Sequence, residues 1–80
     1  MRLDKYLKVS RVIKRRTIAN EAADAGRVSI NGKVARASAN VSVNDIIEIK
    51  FGDNIHKIKV LSITEHAKKQ DAQAMYEVVH

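Results

Sequence analysis

Eighty residues without a single cysteine give one small domain, and neither a disulfide nor a thiolate metal site is available to reinforce its limited core. The net charge of +6 favours a polyanion as partner, whereas three aromatic residues (Tyr6, Phe51 and Tyr76) argue against a platform for stacking successive bases. No apolar run approaches the roughly 18 residues of a membrane span, and charged N-terminal residues make a secretory leader unexpected.

The charge is unevenly placed. Up to Arg36 ten cations face three acids; from Ala37 onward five cations face six acids. The basic excess therefore belongs entirely to the first half, which is the electrostatic footprint of a polyanion-binding surface.

In chain order, residues Asp4 to about Val12 read as a first helix with Asp4 as candidate N-cap, although Leu7 stands where a capping box needs Glu or Gln. Leu3, Tyr6 and Leu7 give it a narrow apolar stripe, and Arg2, Lys5, Lys8 and Arg11 drift round it as a basic band. Ser10 to Arg16 reads as a short connection. Thr17 to Ala25 is a second helix rich in alanine, with Thr17 as N-cap and Gly26 in the left-handed C′ position.

Val28 and Ile30 then alternate with polar neighbours as a strand, and Asn31-Gly32 predicts a tight hairpin. Lys33 to Asn40 has no period and reads as an ordered loop with little to bury. Val41 and Val43 precede a turn at Asn44-Asp45, and Ile46 to Phe51 is a strand. After a turn at Gly52-Asp53-Asn54, Ile55 to Ile63 forms the longest strand, apolar on both parities and hence central or bulged. Glu65 to Ala74 is a loop or marginal helix, and Met75 to Val79 adds an edge strand.

No catalytic constellation emerges. His56, His66 and His80 lack metal-ligand spacing and are expected to be ordinary histidines. The serines lack a nucleophile elbow, and Asn31-Gly32-Lys33 lacks the glycines of a phosphate loop. The cations carry the functional signal. Arginine's planar fork holds a phosphate through two donors, so Arg11, Arg15, Arg16, Arg27 and Arg36 are stronger candidates than Lys5 or Lys8. An anionic membrane surface fits less well, because no bulky apolar face remains once Leu3, Tyr6 and Leu7 serve the core.

Three blocks in order, Arg2-Leu3-Asp4-Lys5-Tyr6-Leu7, Lys14-Arg15-Arg16-Thr17-Ile18-Ala19 and Ala25-Gly26-Arg27-Val28-Ser29-Ile30-Asn31-Gly32-Lys33, resemble the alpha-L RNA-binding motif, the domain of small-subunit ribosomal protein four. The resemblance covers about residues 1–50, with a β-rich extension over about 51–80 of the same single domain. Asn44-Asp45 replaces the usual Gly-Asp turn, Ala22 and Ala23 are smaller than the usual pair, and Arg36 stands where lysine is common.

The resemblance implies an α+β fold, two N-terminal helices packed on a small, mainly antiparallel β-sheet. It also implies RNA-binding residues at Arg2, Lys5, Lys8, Arg11, Lys14, Arg15, Arg16, Arg27, Lys33 and Arg36, with Arg16 and Arg15 foremost. A stand-alone chain of this size is most similar to the members serving bacterial ribosome-associated quality control. Such a member would bind large ribosomal subunits carrying stalled peptidyl-tRNA, contact rRNA and tRNA, and support alanine tailing by a partner factor. The alternative is a heat-shock-type rescue factor that repositions stranded tRNA. Either way the expectation is a cytoplasmic monomer without enzymatic activity, cofactor, metal or membrane partner. A-form RNA suits such an inventory, because it is recognised through shape, phosphates and 2′-hydroxyls.

Overall fold

The computed structural model describes residues 1–65 and 68–79. The elements run α1 (Leu3–Val9), α2 (Arg16–Asp24), β1 (Val28–Ile30), β2 (Lys33–Val34), β3 (Ile46–Phe51), β4 (Asn54–Val60), α3 (Lys69–Ala72) and β5 (Tyr76–Val78). The strands form one sheet of order β2-β1-β3-β4-β5, antiparallel at every pairing. His66 and His80 lie outside the described residues; His56 is half-buried on β4.

Alternation fixes which face of the sheet meets the helices. Val28 on β1, Ile47 and Ile49 on β3, and Ile58 and Val60 on β4 are buried, and so are Leu3, Tyr6 and Leu7 of α1 and Ala19 and Ala23 of α2. Burying one large apolar side chain of this kind contributes about 1.5–3 kcal/mol. On β4 the even parity faces the core, so Ile55 and Leu61 remain exposed. Pairing on both sides accounts for the apolar character of this strand without a bulge. It ends at Val60 rather than Ile63, where Leu61 and Ser62 turn their N–H groups to the Met75 carbonyl.

The helix starts differ from the sequence reading. Thr17 does not cap α2; extended Arg15 does, and no side chain satisfies the cap. Asp4 is not the cap of α1 but its second residue. The first donors of α1 go instead to a passing loop: Leu3 N–H to the Ala39 carbonyl at 2.8 Å and Asp4 N–H to that of Ala37 at 3.2 Å. Ala35, Ala37 and Ala39 leave room for that approach, and Ala37 is buried by it. The alanines that suggested little to bury are thus what lets the loop seal the helix end.

Two turns behave as their residues dictate. Gly26 has φ +81, and the bonds from Gly26 N–H to the Ala23 carbonyl and from Arg27 N–H to the Ala22 carbonyl, both 3.0 Å, close a Schellman motif. Asn31 and Gly32 have φ of 52 and 85, the positive pair that a type I′ hairpin needs. The Asn31 side chain also accepts from Ile46 N–H at 2.9 Å and donates to Asp45 at 3.0 Å, tying the hairpin to β3.

The C-terminal segment is fastened to α1. The buried Tyr6 hydroxyl donates to the Met75 carbonyl at 2.8 Å, and burial, aided by the Tyr76 phenol, pushes its pKa above the ordinary 10. Because Leu61 and Ser62 also donate to that carbonyl, Tyr6→Phe does not orphan it. The expected cost is about 1 kcal/mol, seen as a fall of about 4–8 °C in the thermal midpoint. An unchanged midpoint would show that this hydroxyl does not hold the C-terminal segment.

Candidate nucleic-acid interface

The N-terminal ends of α1 and α2 meet at one buried acid. Asp4 is only 3% exposed at its side chain, against 51% for Arg2 and 48% for Arg16. Arg2 donates from Nε to Oδ1 at 3.2 Å and from Nη2 to Oδ2 at 3.3 Å. Arg16 reaches across from α2, with Nε 3.4 Å from Oδ2 and Nη2 3.5 Å from Oδ1. Asn20, one turn further along α2, donates to Oδ2 at 3.1 Å, and Lys5 N–H donates to Oδ1 at 2.8 Å. Two planar guanidinium groups are therefore held at one carboxylate, and their outer N–H groups face solvent.

Burial penalises the Asp4 carboxylate, but hydrogen bonds from Asn20, Arg16 and Lys5 N–H, with the Arg16 charge, outweigh it and lower its pKa below the ordinary 3.8. Asp4 is thus ionised at neutral pH, so the two arginines share one negative charge and retain a net positive one.

The start of α2 adds a second feature. Its first turn contains no acid, its cap is unsatisfied, and Arg15 and Arg16 stand where the helix dipole is already positive. The Asp4 carboxylate offsets part of that positive charge, and an incoming phosphate would offset more. Arg11, in the connection from α1, has φ +63, a left-handed conformation that normally costs an arginine about 1–2 kcal/mol. Its N–H donates to the Lys8 carbonyl at 3.0 Å and closes α1 there.

Of the ten cations read from the sequence, Arg2 and Arg16 converge on Asp4; Arg11, Lys14 and Arg15 lie on the connection leading into α2. Lys8 is exposed one turn on from Asp4. Lys5 is half-buried and ion-paired with Glu65 at 3.6 Å. Arg27 and Arg36 stand toward the opposite end of α2, where Asp24 accepts from Ala37 N–H at 3.0 Å, and Lys33 is at the hairpin tip. Nine of the ten are exposed. The sequence reading missed the roles of Asp4 and Asn20. A single acid inside a run of cations was the available signal, and the capping rule absorbed it.

Two N-terminal helices on an antiparallel sheet, with exposed cations on the helices and their connection, define a small RNA-binding domain. The S4 domain family matches residues 1–47. The "RQC P-site tRNA stabilizing factor" of Streptococcus pneumoniae is 54% identical over 99% of this chain and 90% of its own length. That of Bacillus subtilis is 48% identical over 99% of this chain and 92% of its own. The trimeric structure of Vibrio cholerae Heat Shock Protein 15 is similar with a TM-score of 0.89 and 29% identity, covering 99% of this chain and 81% of that one. The chain belongs to the S4-domain proteins and, among them, to the family of RQC P-site tRNA stabilizing factors (RqcP).

Proposed function

We propose that this chain is an RNA-binding factor of ribosome-associated quality control that stabilises the P-site tRNA of a large ribosomal subunit carrying a stalled peptidyl-tRNA. The observation that carries the reading is the cationic surface itself: nine exposed cations before Ala37, two of them locked at a buried acid and ready to meet phosphate. The names and near full-length identity of the relatives supply the ribosomal setting. In this reading Arg16 and Arg15 are the principal contacts, with Arg2, Arg11, Lys14, Arg27, Lys33 and Arg36 flanking and Lys8 adjoining. Lys5, the one of the ten that is not exposed, contributes least.

The factor works by holding. It touches rRNA and tRNA together, performs no covalent step, and keeps the tRNA in place while a tailing factor on the same subunit appends alanine. It acts in the cytoplasm as a monomer. Among the described residues no helix is long and apolar enough to cross a membrane. The test is sucrose-gradient sedimentation of tagged protein with sequencing of the bound RNA. Enrichment with large subunits and tRNA is expected; sedimentation with small subunits or at the top of the gradient would overturn the role.

The structural likeness to Heat Shock Protein 15 favours a second reading, a rescue factor that repositions stranded tRNA on the free large subunit. Deleting the gene separates the two. Loss of alanine tails is the outcome expected of the first reading, and tails at normal length would favour the second.

Binding is expected to weaken steeply with salt. Neutralising five to seven phosphates gives log K against log salt a slope of about −4 to −6, by analogy with duplex DNA. Affinity measured between low and moderate potassium chloride checks it, and a slope near zero would remove the basic face from the interface.

A further inference from the structure

Among the described residues, positive φ occurs at Gly26, Gly32, Gly52, Asn31, Asn44 and Arg11. Glycine enters this region freely, and asparagine is several-fold enriched there. Arg11, at φ 63, is the exception. A long side chain in this conformation lowers folding stability, and residues held in this way concentrate where a protein meets its ligand.

The turn accounts for the conformation but not for the residue. Ser10 caps α1 in the right-handed region, and the left-handed step at position 11 then closes the helix end. The Lys8 and Leu7 carbonyls are met by the Arg11 and Ile13 N–H groups, each at 3.0 Å. That step also lays Ile13 into the core and starts the connection toward Arg15 and Arg16. All of this is done by backbone and by Ile13, so glycine at position 11 would serve the turn with less strain. The matching end of α2 has glycine, at Gly26. The arginine side chain, by contrast, is exposed, and among the described residues it joins no ion pair and donates no hydrogen bond. Its backbone is nonetheless well anchored, between buried Ser10 and buried Ile13. No acid occurs between Asp4 and Glu21, whereas Lys8, Lys14, Arg15 and Arg16 are all exposed cations. A guanidinium on a fixed backbone within that run has the chemistry to meet a phosphate with little loss of freedom on binding.

We propose that Arg11 is an RNA phosphate contact retained although it lowers folding stability: the turn sets its left-handed backbone, and the RNA sets its side chain. The proposal rests on the RNA-binding reading and deepens it. It gives position 11 effects of opposite sign on stability and on binding, which Arg16, in regular helix, does not have.

The test measures thermal midpoints and the affinity of a labelled hairpin RNA, by fluorescence anisotropy, for the full chain and four variants. Arg11→Gly is expected to raise the midpoint by about 4–8 °C, because relief at the left-handed position exceeds the added freedom of the unfolded chain. Arg11→Asn raises it less, and Arg11→Ala, which keeps the strain, does not raise it. All three weaken RNA binding by about tenfold and make the salt slope shallower by about 1. Arg11→Lys keeps the wild-type midpoint and recovers binding in part. A more stable Arg11→Gly that binds RNA within about twofold of wild type would overturn the proposal, leaving Arg11 a tolerated turn residue. Weaker binding by Arg11→Gly without a raised midpoint would overturn it too, since no stability would then have been given up. Failure of wild type to bind the RNA would overturn the RNA-binding reading itself, and the proposal with it.

Discussion

Arg16→Ala is expected to lower affinity for tRNA-bearing large subunits by about ten- to a hundredfold, the range of about 1.5–3 kcal/mol for hydrogen bonds to a charged group. The domain should stay folded. Arg16 is nearly half exposed, and removing it still leaves Asp4 with Arg2, Asn20 and Lys5 N–H as partners. The buried carboxylate is therefore not orphaned, and the thermal midpoint should move by no more than a few degrees. Arg16→Lys should restore the charge but not the two-pronged contact, so it recovers binding only in part. Losing one phosphate contact should also make the salt slope shallower by about 1. Co-sedimentation and anisotropy read both quantities on the same preparations. Unchanged co-sedimentation of the alanine variant would remove Arg16 from the interface.

The choice of Arg16 came from the sequence and the resemblance, and the contrast with Asp4 shows where sequence reasoning ends. Local rules act over a few residues and were legible: Asn31-Gly32 demanded positive φ twice, and Gly26 closed α2. The antiparallel α+β arrangement followed from those elements and from the resemblance. Long-range partners were not legible. Asp4 looked like a cap because its type is common there, whereas α1 has its first donors satisfied by carbonyls more than thirty residues away. Separation along the chain also hid the bond from Asn20 to Asp4, sixteen residues apart, and the fastening of Tyr6 to Met75. Composition revealed how many cations there are, but not that Lys5 is occupied by Glu65.

Asp4→Asn separates a role for geometry from a role for charge. If affinity depended on net charge alone, losing one acid beside Arg2 and Arg16 would strengthen RNA binding. The structure requires the opposite. An asparagine there turns one acceptor into an N–H₂ group facing donors from Arg2, Arg16 and Asn20, so the two guanidinium groups lose their common anchor. Affinity should fall by about tenfold, within the range of coupling between groups of one network. Stability should fall by about 1–3 kcal/mol, the cost of an unsatisfied buried polar group. The acid limb gives an independent check. Because the folded-state pKa of Asp4 is lowered, its contribution to stability is complete above the unfolded value of about 3.8 and is lost as pH falls through the folded value. Wild type should show that loss beneath pH 3.8, and Asp4→Asn should lack this part of it. Measured at neutral pH on folded protein, tighter RNA binding by Asp4→Asn would mean that Asp4 merely tempers the basic surface; weaker binding despite the added charge would show that it positions the arginines.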